Sequence, residues 1–210
     1  MTGDDFLRQT EVSRATLGRI PTYLKYLKSI EDESQNISAT AIARELGLGE
    51  VQVRKDLGTV SGVGRPKTGY KVSELIYSLE KFLGADKIEN VVIVGAGKLG
   101  KALLGYKGFE DYGLHIIAAF DKIIKSPVTE NGEKTIYPMD NFPLFCKQNN
   151  VKIGIITVPA ESAQEICDLF VKNGIKAIWN FAPCSLSVPE EINIQYENMA
   201  LSLAYLNKKV

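Results

Sequence analysis

The sequence predicts an α/β fold in two parts, a small helical domain followed by a doubly wound parallel sheet. Three observations predict it. Apolar residues keep a helical spacing up to about Lys87–Asn90, then give way to short β-branched runs alternating with amphipathic stretches. One such run leads directly into Gly95-x-Gly97-x-x-Gly100. Upstream, a helix–turn–helix pattern is followed by a basic segment rich in glycine and proline.

Taken in order, Leu17, Ile20, Leu24, Leu27 and Ile30 form the first helical stripe. From Ile37 to Leu57 two short helices are expected, with Ser38 as N-cap and Gly47 in the turn. Leu75, Leu79, Phe82 and Leu83 mark a linker helix. Four buried strands should follow, at Val91–Val94, Ile116–Phe120, Val151–Thr157 and Ala177–Trp179. Helices are expected between them at Lys98–Tyr106, Asp140–Asn149 and Glu161–Asn173, the alternation of a parallel sheet. A strand at Ile192–Tyr196 and an apolar helix at Met199–Leu206 end the chain. The expected boundaries are 1–86 for the helical domain and linker helix, 87–197 for the sheet domain and 198–210 for the last helix.

Charge narrows the possible partners. The 25 Lys and Arg balance 25 Asp and Glu, so any attraction to nucleic acid must come from a local patch. Cys146, Cys167 and Cys184 lie too far apart for a C-x-x-C motif, and His115 is the single histidine, so no metal site is expected. No apolar run approaches the ~18 residues of a membrane span, and no secretory h-region is visible. The expectation is a cytoplasmic protein with reduced structural thiols.

The glycine motif carries the first site. Gly95 permits a tight strand-to-helix turn, Gly97 lets backbone approach a pyrophosphate, and Gly100 lets the helix pack on the strand. Asp121 ends the next strand, where a ribose-binding carboxylate belongs, and favours NAD(H) because it would repel a 2′-phosphate. This is the Rossmann dinucleotide pattern. The same residues nearly spell a P-loop, but Ala102 stands where a Mg²⁺-binding Ser or Thr is needed. A CoA-binding module shares this opening and remains a competitor.

No catalytic residue is expected. His115 begins its strand, away from the carboxyl ends where such sheets bind ligands. The Tyr-x-x-x-Lys spacings Tyr77/Lys81 and Tyr205/Lys209 fall in the linker helix and the tail. The nucleotide is expected to be sensed and not consumed.

The second site lies in the helix–turn–helix. Packing of Ile42, Leu46, Val53 and Leu57 leaves Gln52, Arg54 and Lys55 outward, residue types that reach base edges and phosphates. Gly62 to Tyr70, with Arg65, Pro66 and Lys67, reads as a wing. Between Gly49 and Lys71, five cations face only Glu50 and Asp56, which supplies the local patch.

With both halves placed, the chain resembles the Rex family of bacterial redox-sensing repressors over nearly its whole length. The matching residues are Arg19-Ile-Pro21, Gln52-Val-Arg-Lys-Asp-Leu57, Gly69-Tyr70, Val92 to Gly100, Ala119-Phe-Asp121, Val158-Pro-Ala160, Ala163-Gln164, Gly174-Ile-Lys176 and Asn180-Phe-Ala-Pro183. The resemblance implies a homodimer with swapped C-terminal helices, repression at double-stranded operator DNA, and release by NADH. Motif and resemblance together assign the cofactor set Gly95, Ala96, Gly97, Lys98, Leu99, Gly100, Tyr106, Asp121, Lys122, Thr157, Val158, Pro159, Ala160, Asn180, Phe181 and Met199. Val158, Pro159 and Ala160 belong at the nicotinamide end, near Tyr106, Phe181 and a partner's Met199. The DNA set is Gln52, Arg54, Lys55, Arg65, Pro66, Lys67 and Tyr70. Arg19 is implied to face a switch-region acid, with Asn198 in that acid's position. Gly64-Arg-Pro-Lys-Thr replaces the family's usual Gly-Lys-Arg-Gly wing, and Lys122-Ile-Ile a more acidic segment.

Overall fold

The computed structural model describes residues 12–66, 68–84, 87–130 and 134–207. The chain forms two compact units, Met1–Asp86 and Lys87–Val210.

In the first unit, α1 (Arg14–Lys28) is followed by β1 (Asn36–Ile37), α2 (Ala39–Glu45), α3 (Glu50–Ser61), β2 (Tyr70–Lys71) and α4 (Val72–Leu83). Ser13 and Ser38 cap α1 and α2, accepting hydrogen bonds from the Thr16 and Ala41 N–H groups at 3.1 and 3.0 Å. Ile20, Leu24 and Leu27 bury the face of α1 expected from the stripe, whereas Leu17 is largely exposed. They pack with Ile42, Val53 and Leu57 and with Leu75, Ile76 and Leu79. The helix that reads in sequence as a linker is therefore a core element of this unit. Its apolar face is nearly continuous because Val72, Leu75, Ile76 and Leu79 recur at helical spacing. The wing closes where β2 pairs antiparallel with β1 and Arg65 bridges Gly69. Only glycine fits at position 69, because φ is +77° and a Cβ would lie 2.2 Å from the Ile37 carbonyl oxygen.

The second unit contains β3 (Glu89–Val94), α5 (Lys98–Leu104), β4 (Leu114–Asp121), β5 (Val128–Glu130) and β6 (Lys134–Pro138). These are followed by α6 (Phe142–Gln148), β7 (Ile153–Ile156), α7 (Ala160–Lys172), β8 (Ala177–Asn180), β9 (Asn193–Tyr196) and α8 (Met199–Asn207). The sheet order is β5-β6-β4-β3-β7-β8-β9. Every pairing is parallel except β5 with β6. The parallel part runs outward in both directions from β3, so the topology reverses between β3 and β7, where such sheets open a ligand crevice.

Val91 to Val94 are at most 3% exposed, and each buried apolar side chain contributes about 1.5–3 kcal/mol. One face of the sheet carries α6 and α7. Phe120, Phe142 and Phe170 join them to it, with ring centroids 5.0 Å and 5.4 Å apart for successive pairs. On the other face α5 ends at Leu104, two residues earlier than expected, and a 3₁₀ segment at Lys107–Tyr112 follows. The β5–β6 pair has no signature in the sequence. Ile136 is the one fully buried residue of β6, too few to print a strand period.

Candidate nucleotide cleft and nucleic-acid interface

The glycine turn is held from both sides of the switch point. The Gly95 N–H donates to the Phe120 carbonyl at 2.8 Å, while the Thr157 hydroxyl donates to the Gly95 carbonyl at 2.7 Å. Gly95 has φ +104°, and a Cβ there would stand 2.7 Å from the Thr157 carbonyl oxygen. A Cβ on Gly100 would be 1.9 Å from the Gly95 oxygen, so α5 approaches the turn at a distance that only glycine permits. Around Gly97 a Cβ would meet nothing within 4 Å. Gly97 also starts α5 without a side-chain cap, leaving the first N–H groups of the helix for an anion.

Asp121 reaches back to this turn. Its carboxylate accepts from the Ala96 N–H at 2.7 Å and from the Ile123 N–H at 3.0 Å. The acid therefore stands beside the backbone of the glycine turn at the carboxyl end of β4.

These groups floor a cleft of about 930 Å³, large enough for a dinucleotide-sized ligand. Of the residues expected from sequence, Gly95, Gly97, Asp121, Lys122, Thr157, Val158 and Pro159 line it. The opposite wall is supplied by Met139, Asp140 and Pro143 near the start of α6 and by Ser162, Glu165, Ile166, Asp168, Leu169 and Lys172 along α7. This wall is not legible in the sequence. Its residues form no motif, and only the packing of α6 and α7 on one sheet face brings them to the glycine turn.

Other expected residues lie outside that lining. Ala96, Lys98, Leu99, Gly100 and Ala160 belong to the turn and to the first turns of α5 and α7. Tyr106 and Phe181 sit on the α5 face, linked through Phe109 and Trp179 by ring contacts of 5.0, 6.0 and 4.5 Å. Met199 opens α8 and is exposed, as are Leu201, Leu203, Tyr205 and Leu206. Asn180 is a correction. It is 0% exposed, its amide nitrogen donates to the Ala182 and Cys184 carbonyls, and its oxygen accepts from the Ala182 N–H at 2.9 Å. With no surface left for a ligand, it fixes the loop that carries Phe181.

Candidate reactive groups are not brought to the cleft. His115 is the second residue of β4, at the far end from Asp121, a separation of about 20 Å along a strand. Tyr77 and Lys81 lie in α4 of the other unit, and Lys209 falls outside the described residues. Burial pushes the Cys146 thiol up to about 11 and also raises that of Cys167, with the Asp168 charge adding to the second. Both stay protonated and unreactive. Among the described residues, no group of His, Cys, Asp and Glu could hold a metal ion, and no helix is long and apolar enough to cross a membrane.

In the first unit, Gln52, Arg54 and Lys55 are exposed on α3, and Arg65 and Pro66 on the wing. Lys67 lies outside the described residues. Arg54 pairs with Glu50 one turn earlier, an exposed contact readily exchanged for a phosphate. Tyr70 is partly buried, its hydroxyl donating to the Gly62 carbonyl at 3.2 Å and its ring lying over Gly64, so it scaffolds the wing.

Asp56, one of the two anions between Gly49 and Lys71, is only 3% exposed. It accepts from Arg19 Nε and Nη2 at 2.7 and 2.9 Å, from the Tyr23 hydroxyl at 2.8 Å and from the Thr16 hydroxyl at 3.0 Å. Burial opposes its charge, but the hydrogen bonds from Arg19, Tyr23 and Thr16 outweigh it and hold the carboxyl below its ordinary range. The Asp56 hydrogen bond raises the Arg19 guanidinium, and burial, then the Asp56 contact, pushes the Tyr23 phenol up to about 12. The patch on α3 is thus more positive than its sequence suggests. Arg19 has its acid within its own unit. Asn198 instead caps α8, its oxygen accepting from the Leu201 N–H at 2.9 Å.

Fold and sites together define a class: a winged-helix DNA-binding unit joined to a Rossmann unit of dinucleotide-binding type. The chain is 42% identical over 200 residues to the redox-sensing transcriptional repressor Rex of Treponema denticola, covering 95% of each. It belongs to the Rex family of redox-sensing transcriptional repressors, which are regulators and not enzymes. The Rex protein of Bacteroides thetaiotaomicron is 39% identical over 198 residues, covering 94% of this chain and 90% of its own. Family models described as "Putative DNA-binding protein N-terminus" and "CoA binding domain" match residues 11–58 and 86–184. Among solved structures, the Rex-family repressor RSP in complex with β-NAD+ and operator DNA is 33% identical, with a TM-score of 0.84 and coverage of 96% of this chain and 93% of RSP. RSP in complex with β-NADH is 33% identical with a TM-score of 0.77, covering 96% and 95%.

Proposed function

We propose that this chain is a cytoplasmic repressor that holds double-stranded operator DNA as a homodimer and releases it when NADH, but not NAD+, fills the cleft. The observation that carries the reading is the pairing of Asp121 with the Gly95–Gly100 turn in a chain whose other unit presents Gln52, Arg54 and Lys55. The RSP complexes with β-NAD+ plus operator DNA and with β-NADH support both ligands. The exposed apolar side chains of α8, from Met199 to Leu206, support a helix that finds its packing on a second copy.

When bound, the cofactor brings a nicotinamide ring that is neutral in NADH and cationic in NAD+; no bond to it is made or broken. The Gly97 backbone and the start of α5 take the pyrophosphate, and Asp121 accepts from a ribose hydroxyl. Those contacts are common to both forms, so they set affinity without switching anything. Discrimination falls to Val158, Pro159 and Phe181 and to a partner subunit's Met199, apolar groups that penalise a buried cation. Closure over NADH moves the two recognition helices away from the spacing that successive major-groove half-sites require. A coupling of about 1–3 kcal/mol changes operator affinity about 5- to 150-fold.

The test is a titration of NADH, NAD+ and CoA into full-length protein bound to a duplex selected by it from a random pool. NADH alone should displace the DNA. Equal displacement by NADH and NAD+ removes the switch, and displacement by CoA favours the CoA-binding reading, which the Asp121 carboxylate disfavours by repelling a ribose phosphate.

A further inference from the structure

Gln52 and Asp56 lie one turn apart on α3, and both meet Arg19 of α1. Asp56 takes one edge of the guanidinium through Nε and Nη2. In the amide orientation that satisfies both groups, the oxygen is the end of Gln52 that faces Arg19, accepting from Nη1 at 3.0 Å. Arg19 cannot follow Gln52 outward, because Asp56 is almost wholly buried and anchored also by Tyr23 and Thr16. The guanidinium is therefore a fixed post, and the amide is turned with its acceptor inward and its NH₂ group outward.

We infer that Arg19 is a positioning residue for base reading, making Gln52 a donor-only probe of the major groove. The inference rests on the reading of α3 as the recognition helix. A free glutamine pairs with adenine through both amide ends, accepting from N6 and donating to N7. Held by Arg19, Gln52 keeps only the donor half. It favours an edge rich in acceptors, guanine (O6, N7) or thymine (O4), and rejects cytosine, whose N4 offers only a donor. Asp56 sets the base preference indirectly, by holding the arginine that holds the glutamine.

The experiment compares wild type, Arg19→Lys, Gln52→Ala and the double variant, all full length, by selection from a random duplex pool. Anisotropy titrations then use duplexes carrying each base at every half-site position. Lysine keeps a charge for Asp56 but lacks the planar fork that reaches Gln52 at the same time. Arg19→Lys should therefore gain adenine relative to guanine or thymine by about 10-fold at one position per half-site. Other positions should hold, and melting should stay close to wild type. Gln52→Ala should lose preference at that same position, and adding Arg19→Lys to it should change nothing further. A uniform loss across all positions, or an unaltered preference in Arg19→Lys, overturns the inference. If wild type selects no sequence at all, the reading of α3 fails, which is a different outcome. Should Arg19→Lys melt early, Asp56→Glu offers a second way to displace the guanidinium, and the same position must respond.

Discussion

Gly100→Ala tests whether the glycine turn and α5 form one rigid phosphate-binding unit. The new methyl would sit 1.9 Å from the Gly95 carbonyl oxygen and must reach at least 3.0 Å. That oxygen cannot swing away, because it accepts the Thr157 hydroxyl at 2.7 Å and its own residue is pinned to Phe120 at 2.8 Å. Relief must come from lifting α5 off the strand, which opposes the burial of Leu104 against Ile93 and Ala119. Overpacking of this kind costs about 1–3 kcal/mol, and alanine recovers up to ~1 kcal/mol of helix propensity. The net expectation is a loss of about 1–2 kcal/mol, lowering the melting temperature of the second unit by roughly 4–10 °C. Calorimetry reads the stability, and nicotinamide fluorescence reads NADH affinity, which should fall as well. Gly97→Ala is the contrast: its methyl meets no protein atom within 4 Å, so stability should hold while NADH affinity drops. Wild-type melting and wild-type NADH binding in Gly100→Ala would refute the reasoning.

Other expectations follow from the same contacts. Asp121→Ala should desensitise the protein to NADH while leaving operator affinity without nucleotide unchanged; competition titrations decide this. Arg54→Ala or Lys55→Ala should weaken operator binding by about 5-fold or more and reduce its salt dependence, with NADH titrations unaffected. Asp56, with its carboxyl held low, stabilises the first unit fully above the ordinary carboxylate range near ~4, and that contribution is lost as pH falls through its folded value. Asp56→Asn should therefore cost about 2 kcal/mol at neutral pH, discounted because Arg19 is a quarter exposed, and should flatten the acid limb of a pH-stability curve.

The features legible in the sequence are local. Spacing of Ile20, Leu24 and Leu27 announced a helix, the run Val91–Val94 a buried strand, and Ser38 a cap, because each effect acts within a few residues. The glycine pattern likewise named its turn, since the clashes a side chain would make at 95 and 100 involve the motif itself or one neighbouring strand. The remaining features depend on partners far along the chain. Strand order required pairings that no periodicity records, and the α6–α7 wall of the cleft exists because two helices pack on one sheet face. Asn180 reads as a ligand group until its loop folds around it. Asp56 counts against the basic patch until α1 brings Arg19, 37 residues away, to neutralise it. A carboxylate or amide can be solvated or satisfied internally, and only closure of the chain selects between the two.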